Sequence, residues 1–202
     1  MVLIEKGRPV WLLRLLVFLI SLVPLFLLTL DAVEGQLGAD PAKEIVKTLG
    51  IWAAIFLWLS LFVSPIRRRL KIKWLMHFRR MLGLYAFFYL VMHFVAFGIF
   101  IVGMRVDLLI TEMTKRPYIV VGMLALVLML PLVVTSTKNA QRRLGKRWME
   151  LHRVVYLVAI LAMIHIIWMI RASYIDAILY GLFLAIAFSE RLWSRISSKT
   201  DQ

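Results

Sequence analysis

Polar and apolar positions along this chain fall into long blocks. Six apolar runs, at about 11 to 30, 45 to 63, 81 to 102, 118 to 135, 151 to 170 and 175 to 189, are separated by charged segments. A helix needs about 20 apolar residues to cross the hydrocarbon of a bilayer. The pattern therefore predicts an all-α integral membrane protein, a six-transmembrane-helix bundle that forms a single domain over residues 1 to 202. The second run is short, and Pro41 is expected to open its helix as a first-turn proline after a turn at Gly38 to Asp40. Pro24 and Pro131 are expected to kink their helices where neighbours can satisfy the freed carbonyls. The first run lacks a small-residue cleavage site and reads as a retained span. The loops are short, and no internal repeat or linker is expected.

Composition agrees with the blocks: 62% of the 202 residues are hydrophobic and the mean hydropathy is +0.87, well above the apolar share of about 45 to 50% in soluble domains. The formal charge of +14 invites a nucleic-acid reading. Its distribution argues instead for lipid, because the basic residues sit in the loops between apolar runs. Nineteen of the 25 lysines and arginines lie in the N-terminal segment, around 67 to 80, around 138 to 153 and in the C-terminal tail, against six in the other three loops. By the positive-inside rule both termini are expected in the cytoplasm, with a charge of +15 on that side and −1 opposite. A lipid bilayer is the expected environment, with no nucleic acid as partner. The absence of cysteine excludes disulfides, thiolate-ligated haem, Cys-ligated Fe–S clusters and covalently attached c-type haem.

The candidate chemistry is histidine. His93 and His165 lie inside apolar runs, and an ionisable side chain at bilayer depth is a functional candidate by default. At about 1.5 Å per residue, His93 is roughly 21 Å above Arg79, and His165 is roughly 22 Å above Glu150. The two imidazoles share a level toward the outer face, where they can close on one iron from opposite sides, which fits bis-His ligation of a b-type haem. His152 lies lower, without a matching histidine on the third run. On the stripe of His93, the positions below are Leu90, Ala86, Gly83 and Arg79, and the small residues are expected to leave room for a flat porphyrin. A second haem at His152 is expected, with Arg79 as an unusual ligand or, more conservatively, as the partner of a propionate. His152 and His165 are thirteen residues apart, an offset of about 220° on an ideal helix. That leaves three possibilities: altered winding near 156 to 162, rotated haem planes, or another role for His152. His77 reads as a solvated loop residue. No G-x-G-x-x-G opens a helix after a strand, so no nucleotide-binding motif is present.

Four stretches carry a resemblance: LGADPAKEI at 37 to 45, RRMLGL at 79 to 84 followed by His93, TKRPYIVVG at 114 to 122, and TSTKNAQRRLGKRWMELHRVVYLVAILAMIH at 135 to 165. From about Leu37 to Arg171 the chain resembles the ferric reductase-like transmembrane family. Within it, the chain looks like the haem-binding membrane subunits of bacterial periplasmic methionine sulfoxide reductase systems, a resemblance that implies a bacterial inner membrane. The resemblance implies a six-helix bundle with b-type haem, one or two, and in some descriptions FMN. It implies electrons from quinol or a cytoplasmic flavin reductase and delivery to a periplasmic molybdopterin catalytic subunit. It matches His93, His152 and His165 to haem-associated histidines and Arg79 to an arginine opening the third span. Wider relatives place two histidines fourteen apart on each of two helices, and this chain departs from that at Arg79 and in its thirteen-residue step.

The expected function is thus a transmembrane electron conduit, with segments 31 to 47 and 103 to 117 docking the acceptor. With no thiolate to ligate molybdenum, the chain itself is expected to do no methionine sulfoxide chemistry. A histidine-relay proton- or metal-coupled transporter is the alternative, and a structural anchor for a partner complex is a third.

Overall fold

The computed structural model describes residues 10 to 169 together with 181, 182, 185 and 189. Every element among them is helical. In order, these are α1 (Val10–Val33), α2 (Pro41–Leu70), a 3₁₀ turn (Lys73–Leu75), α3 (Met76–Ala96) running into a π-helical turn (Phe97–Ile101), α4 (Val106–Lys115), α5 (Pro117–Val134), α6 (Lys138–Leu144), α7 (Lys146–His152) and α8 (Val154–Met169). Among the described residues, five helical stretches are long and apolar enough to cross a membrane, α7 and α8 together forming the fifth. The sixth expected span, 175 to 189, lies outside the described residues apart from four isolated positions.

Local chemistry explains the boundaries. Asp40 caps α2 by accepting the amide of Lys43 at 3.2 Å, and Pro41 sits in the first turn, where its missing amide costs nothing. α2 is longer than the apolar run: it continues through Pro65 to Arg67, Arg68 and Arg69 in its last turn, where cations complement the helix dipole. Lys71 ends it in a left-handed conformation. The basic stretch after α5 is not an open loop either. Thr137 caps α6 by accepting the amide of Ala140, and Gly145, at φ +52°, turns the chain into α7. The segment 103 to 117 folds as α4, bounded by Gly103 at φ +62° and by Pro117 at the start of α5.

The described helices pack as two antiparallel hairpins. α2 lies along α3, and α5 lies along α8, with α7 meeting the end of α5 at Thr135; α3 meets α5, and α2 touches α8. Apolar attraction between helices is weak in lipid, so close packing by small residues matters more. Ala53, Ala54 and Ser60 of α2 and Ala86 of α3 are buried, and a Cβ placed on Gly83 of α3 would meet Ser60 Oγ at 3.8 Å. Gly83 thus faces Ser60 of α2 at ordinary contact distance. Ala86 is only 1% exposed.

α1 is peripheral, with Trp11, Leu16, Leu19 and Phe26 facing outward. It is fastened by two tyrosines of α3: Tyr85 donates its hydroxyl to Phe18 O at 2.9 Å, and Tyr89 donates to Ser21 O at 2.7 Å. The second acceptor is next to Ile20, whose carbonyl is the one that Pro24 leaves without a helical donor. Phe56 of α2 stacks on Tyr89 with ring centroids 5.3 Å apart, and its centroid lies 5.5 Å from that of Tyr85.

Candidate functional site

His93 is on α3 one turn before the helix widens into the π turn, marked by Val102 N donating to Phe97 O at 3.1 Å. Such turns recur at functional positions. His93 Nδ1 lies 2.7 Å from Val46 O on α2, and His165 Nδ1 lies 2.6 Å from Tyr118 O on α5. A carbonyl can only accept, so in each neutral imidazole Nδ1 carries the hydrogen and Nε2 keeps its lone pair. Metal-ligating histidines are oriented in this way by a backbone acceptor on the other ring nitrogen.

The two rings meet across the hairpins, with centroids 6.3 Å apart and planes at 89°. An imidazole nitrogen ligates a first-row metal at about 2.0 Å, and the ring centre lies about 1.1 to 1.2 Å behind that nitrogen. Two imidazoles on opposite sides of one metal thus have centroids roughly 6.3 Å apart. The spacing and the donor set fit an iron held between the two rings. Val46 is in the second turn of α2 and Tyr118 in the first turn of α5. The pair accordingly sits near the ends joined by the segments 34 to 40 and 103 to 117, at one shared level.

His152 is differently engaged. Thr135 Oγ1 donates its one hydrogen to Pro131 O at 2.6 Å, so the 3.1 Å contact with His152 Nε2 has the imidazole as donor. Trp148 stacks on the ring at a centroid distance of 4.1 Å and donates its indole hydrogen to Thr135 O. His152 therefore has the opposite tautomer from His93 and His165. Arg79 is close enough for its charge to act on His152, while its Nη1 donates to Ser64 Oγ at 3.1 Å. His77 is exposed at the start of α3, with Nδ1 2.9 Å from Trp74 O.

The thirteen-residue step is accommodated at Arg153, earlier than the stretch 156 to 162. Arg153 N bonds Glu150 O, and Tyr156 N bonds Arg153 O, both three residues back. Such bonds overwind the chain to about 120° per residue from about 100°. Both histidines then meet α5, His152 at Thr135 and His165 at Gly122.

Four residues of the site escape a reading of titratable groups: Val46, Gly50, Tyr118 and Gly122. A Cβ on Gly50 would lie 2.8 Å from His93 Nδ1, and one on Gly122 would lie 2.8 Å from His165 Nδ1. Each carbonyl precedes its histidine by 47 residues. The whole set recurs at an offset of 72: Val46 and Tyr118, Gly50 and Gly122, His93 and His165. That repeated spacing is the sequence signal, although overall sequence similarity does not display it.

Helices that expose apolar side chains on their outer faces around a partly buried histidine pair define a multi-pass membrane protein with a candidate metal centre between two hairpins. The family described as "ferric reductase like transmembrane component" matches residues 49 to 163. Among curated relatives, a chain of Herminiimonas arsenicoxydans is 38% identical over 90% of this chain and 85% of its own length. One of Azospira oryzae is 42% identical over 89% and 78%, and one of Polaromonas naphthalenivorans is 38% identical over 93% and 89%. All three carry the name protein-methionine-sulfoxide reductase heme-binding subunit MsrQ. No solved structure matches the chain. The chain belongs to the MsrQ family within the ferric reductase-like transmembrane proteins.

Proposed function

We propose that this chain is the electron-transfer membrane subunit of a methionine sulfoxide reductase system and holds a b-type haem between Nε2 of His93 and Nε2 of His165. The observation that carries the reading is the pair itself: two Nδ1–H groups engaged by backbone carbonyls, two Nε2 lone pairs available, and ring centroids 6.3 Å apart. The family relation, and the haem in the relatives' name, support it. When bound, haem supplies one-electron ferric–ferrous exchange. The protein residues fix the ligands' direction. Val46 O and Tyr118 O set each tautomer, and Gly50 and Gly122 let the rings approach the neighbouring helices.

The inner cluster fits a second haem less well. His152 Nε2–H is engaged by Thr135 and Trp148 covers one ring face, so ligation through Nε2 requires that bond to break. If a second haem is held at His152, Arg79 is proposed as the partner of one of its propionate carboxylates. FMN is given no site residue.

In the proposed topology six spans place both termini in the cytoplasm and the histidine pair toward the periplasm of a bacterial inner membrane. Quinol or a cytoplasmic flavin reductase is the proposed donor. The proposed acceptor is an MsrP-like periplasmic molybdopterin subunit, docking as a transient partner on segment 31 to 47 and on α4. A proton relay needs histidine nitrogens that can exchange partners, whereas both Nδ1 atoms here are held by backbone carbonyls. That favours a conduit over a transporter.

The test is a pyridine haemochrome assay with reduced-minus-oxidised spectra on purified protein. Wild type is expected to show a Soret band that shifts on dithionite, and His93→Ala and His165→Ala are each expected to lose that haem and electron delivery. A colourless wild type after expression with excess haem refutes the proposal. Partner activity that survives both substitutions marks the chain as an anchor instead.

A further inference from the structure

We infer that Gly50 and Gly122 are positioning residues: each forms, with the carbonyl one turn before it, a cradle that holds one imidazole in a single plane and tautomer, leaving the two rings perpendicular. The spectroscopic part of this inference rests on the haem reading above; the steric part does not.

A Cβ on Gly50 would come within 2.8 Å of His93 Nδ1 and 3.0 Å of Cε1, and one on Gly122 within 2.8 Å and 2.9 Å of the same atoms of His165. Real Cβ atoms essentially never show contacts under 3.0 Å, so a side chain at either position forces the ring to move. The ring cannot yield in place, because the same Nδ1 is held at 2.7 Å by Val46 O or at 2.6 Å by Tyr118 O. Displacing it breaks that bond and frees the tautomer. In both cases the closest neighbours are imidazole atoms, so these glycines are there for the histidines more than for helix approach. Gly83 supplies the contrast: its Cβ would meet Ser60 Oγ at an ordinary 3.8 Å. Recurrence of carbonyl, glycine and histidine at one offset in both hairpins makes the cradle a repeated device. With the cradles intact, the rings cross at 89°.

The experiment is a double-mutant cycle on full-length protein in detergent, with and without haem. Haem-free protein gives the first readout. Gly50→Ala and Gly122→Ala are expected to shift the unfolding equilibrium toward the unfolded state by roughly tenfold or more, the scale of overpacking a tight interior. Alanine is intrinsically the better helix former, so the helix itself does not cause the loss. The shift is expected to vanish in Gly50→Ala/His93→Ala and Gly122→Ala/His165→Ala, because the clashing ring is gone. Gly83→Ala, with no such clash, is expected to cause no loss of stability. If a single variant yields no folded protein, recovery of yield in its double variant carries the same result.

Ferric EPR of loaded protein gives the second readout. Perpendicular imidazoles give a strongly anisotropic low-spin signal, and either glycine substitution is expected to convert it to a rhombic or high-spin one. Equal losses of stability in the His→Ala backgrounds, or wild-type EPR in both glycine variants, overturn the inference. A wild type that takes up no haem refutes the haem reading alone, and the haem-free cycle still decides the cradle.

Discussion

Removing a single oxygen from α3 tests how α1 is attached to the rest of the bundle. Tyr89 is 0% exposed and its hydroxyl reaches Ser21 O at 2.7 Å, while Tyr85, one turn earlier, reaches Phe18 O at 2.9 Å. Tyr89→Phe keeps the ring, and so keeps the stack with Phe56, but deletes the donor. Interhelical hydrogen bonds in membrane proteins average about 0.6 kcal/mol with a maximum near 1.7. The fully buried site places Tyr89 in the upper part of that range, at about 1 kcal/mol or more. The Tyr85→Phe/Tyr89→Phe double variant is then expected to lose about 2 kcal/mol, which is roughly a thirtyfold shift in the unfolding equilibrium. The two sites share a helix face, so their effects need not add. Reversible unfolding of haem-free protein in mixed detergent and SDS, followed by intrinsic tryptophan fluorescence, measures it. A double variant that unfolds at the wild-type SDS fraction refutes the account. So does a Tyr89→Phe loss as large as that of Tyr89→Ala, which assigns the effect to packing.

Two further expectations follow from the ends of the helices. Thr135→Val removes the acceptor of the His152 Nε2–H bond and the donor to Pro131 O, so the His152 ring is expected to lose its single tautomer, with about 1 kcal/mol of stability. Side-chain ¹⁵N NMR of labelled histidine reads this directly; Thr135→Ser should restore the wild-type shifts, and unchanged shifts in the valine variant count against the assignment. At the start of α2, the Lys43 side chain, with its amide, holds the Asp40 carboxyl below its usual range. A lowered folded value means that the ionised carboxylate stabilises the cap above the ordinary carboxylate range, and that this is lost as pH falls through the lowered value. The group is exposed, so the effect is small and salt-sensitive. Amide exchange in the first turn of α2 is expected to accelerate on acidification in wild type and to lose that dependence in Asp40→Asn, which keeps a capping oxygen; identical pH profiles would argue against the role.

Much of the architecture was readable from the chain. Block hydrophobicity marked the five described spans, because a bilayer demands length and apolarity that few other environments require. Rise per residue alone put His93 and His165 at one level. The ends of elements were harder to read, since they depend on weak local terms. The charged Ile66–Leu70 turn stays helical because it continues an existing helix, and α4 forms in a segment whose composition resembles a loop. The winding near His152 depended on two hydrogen bonds around Arg153, which no hydropathy pattern registers.

The residues by themselves settled that this chain lives in a membrane, where its basic charge gathers, and which imidazoles share a depth. All of these follow from one-dimensional quantities: length, charge order and helical rise. What surrounds each imidazole was decided only in three dimensions. Backbone carbonyls carry no side-chain signature, and a glycine announces close approach only when the neighbour is known. Val46, Gly50, Tyr118 and Gly122 therefore became visible once α2 and α5 were laid beside the helices that carry the histidines.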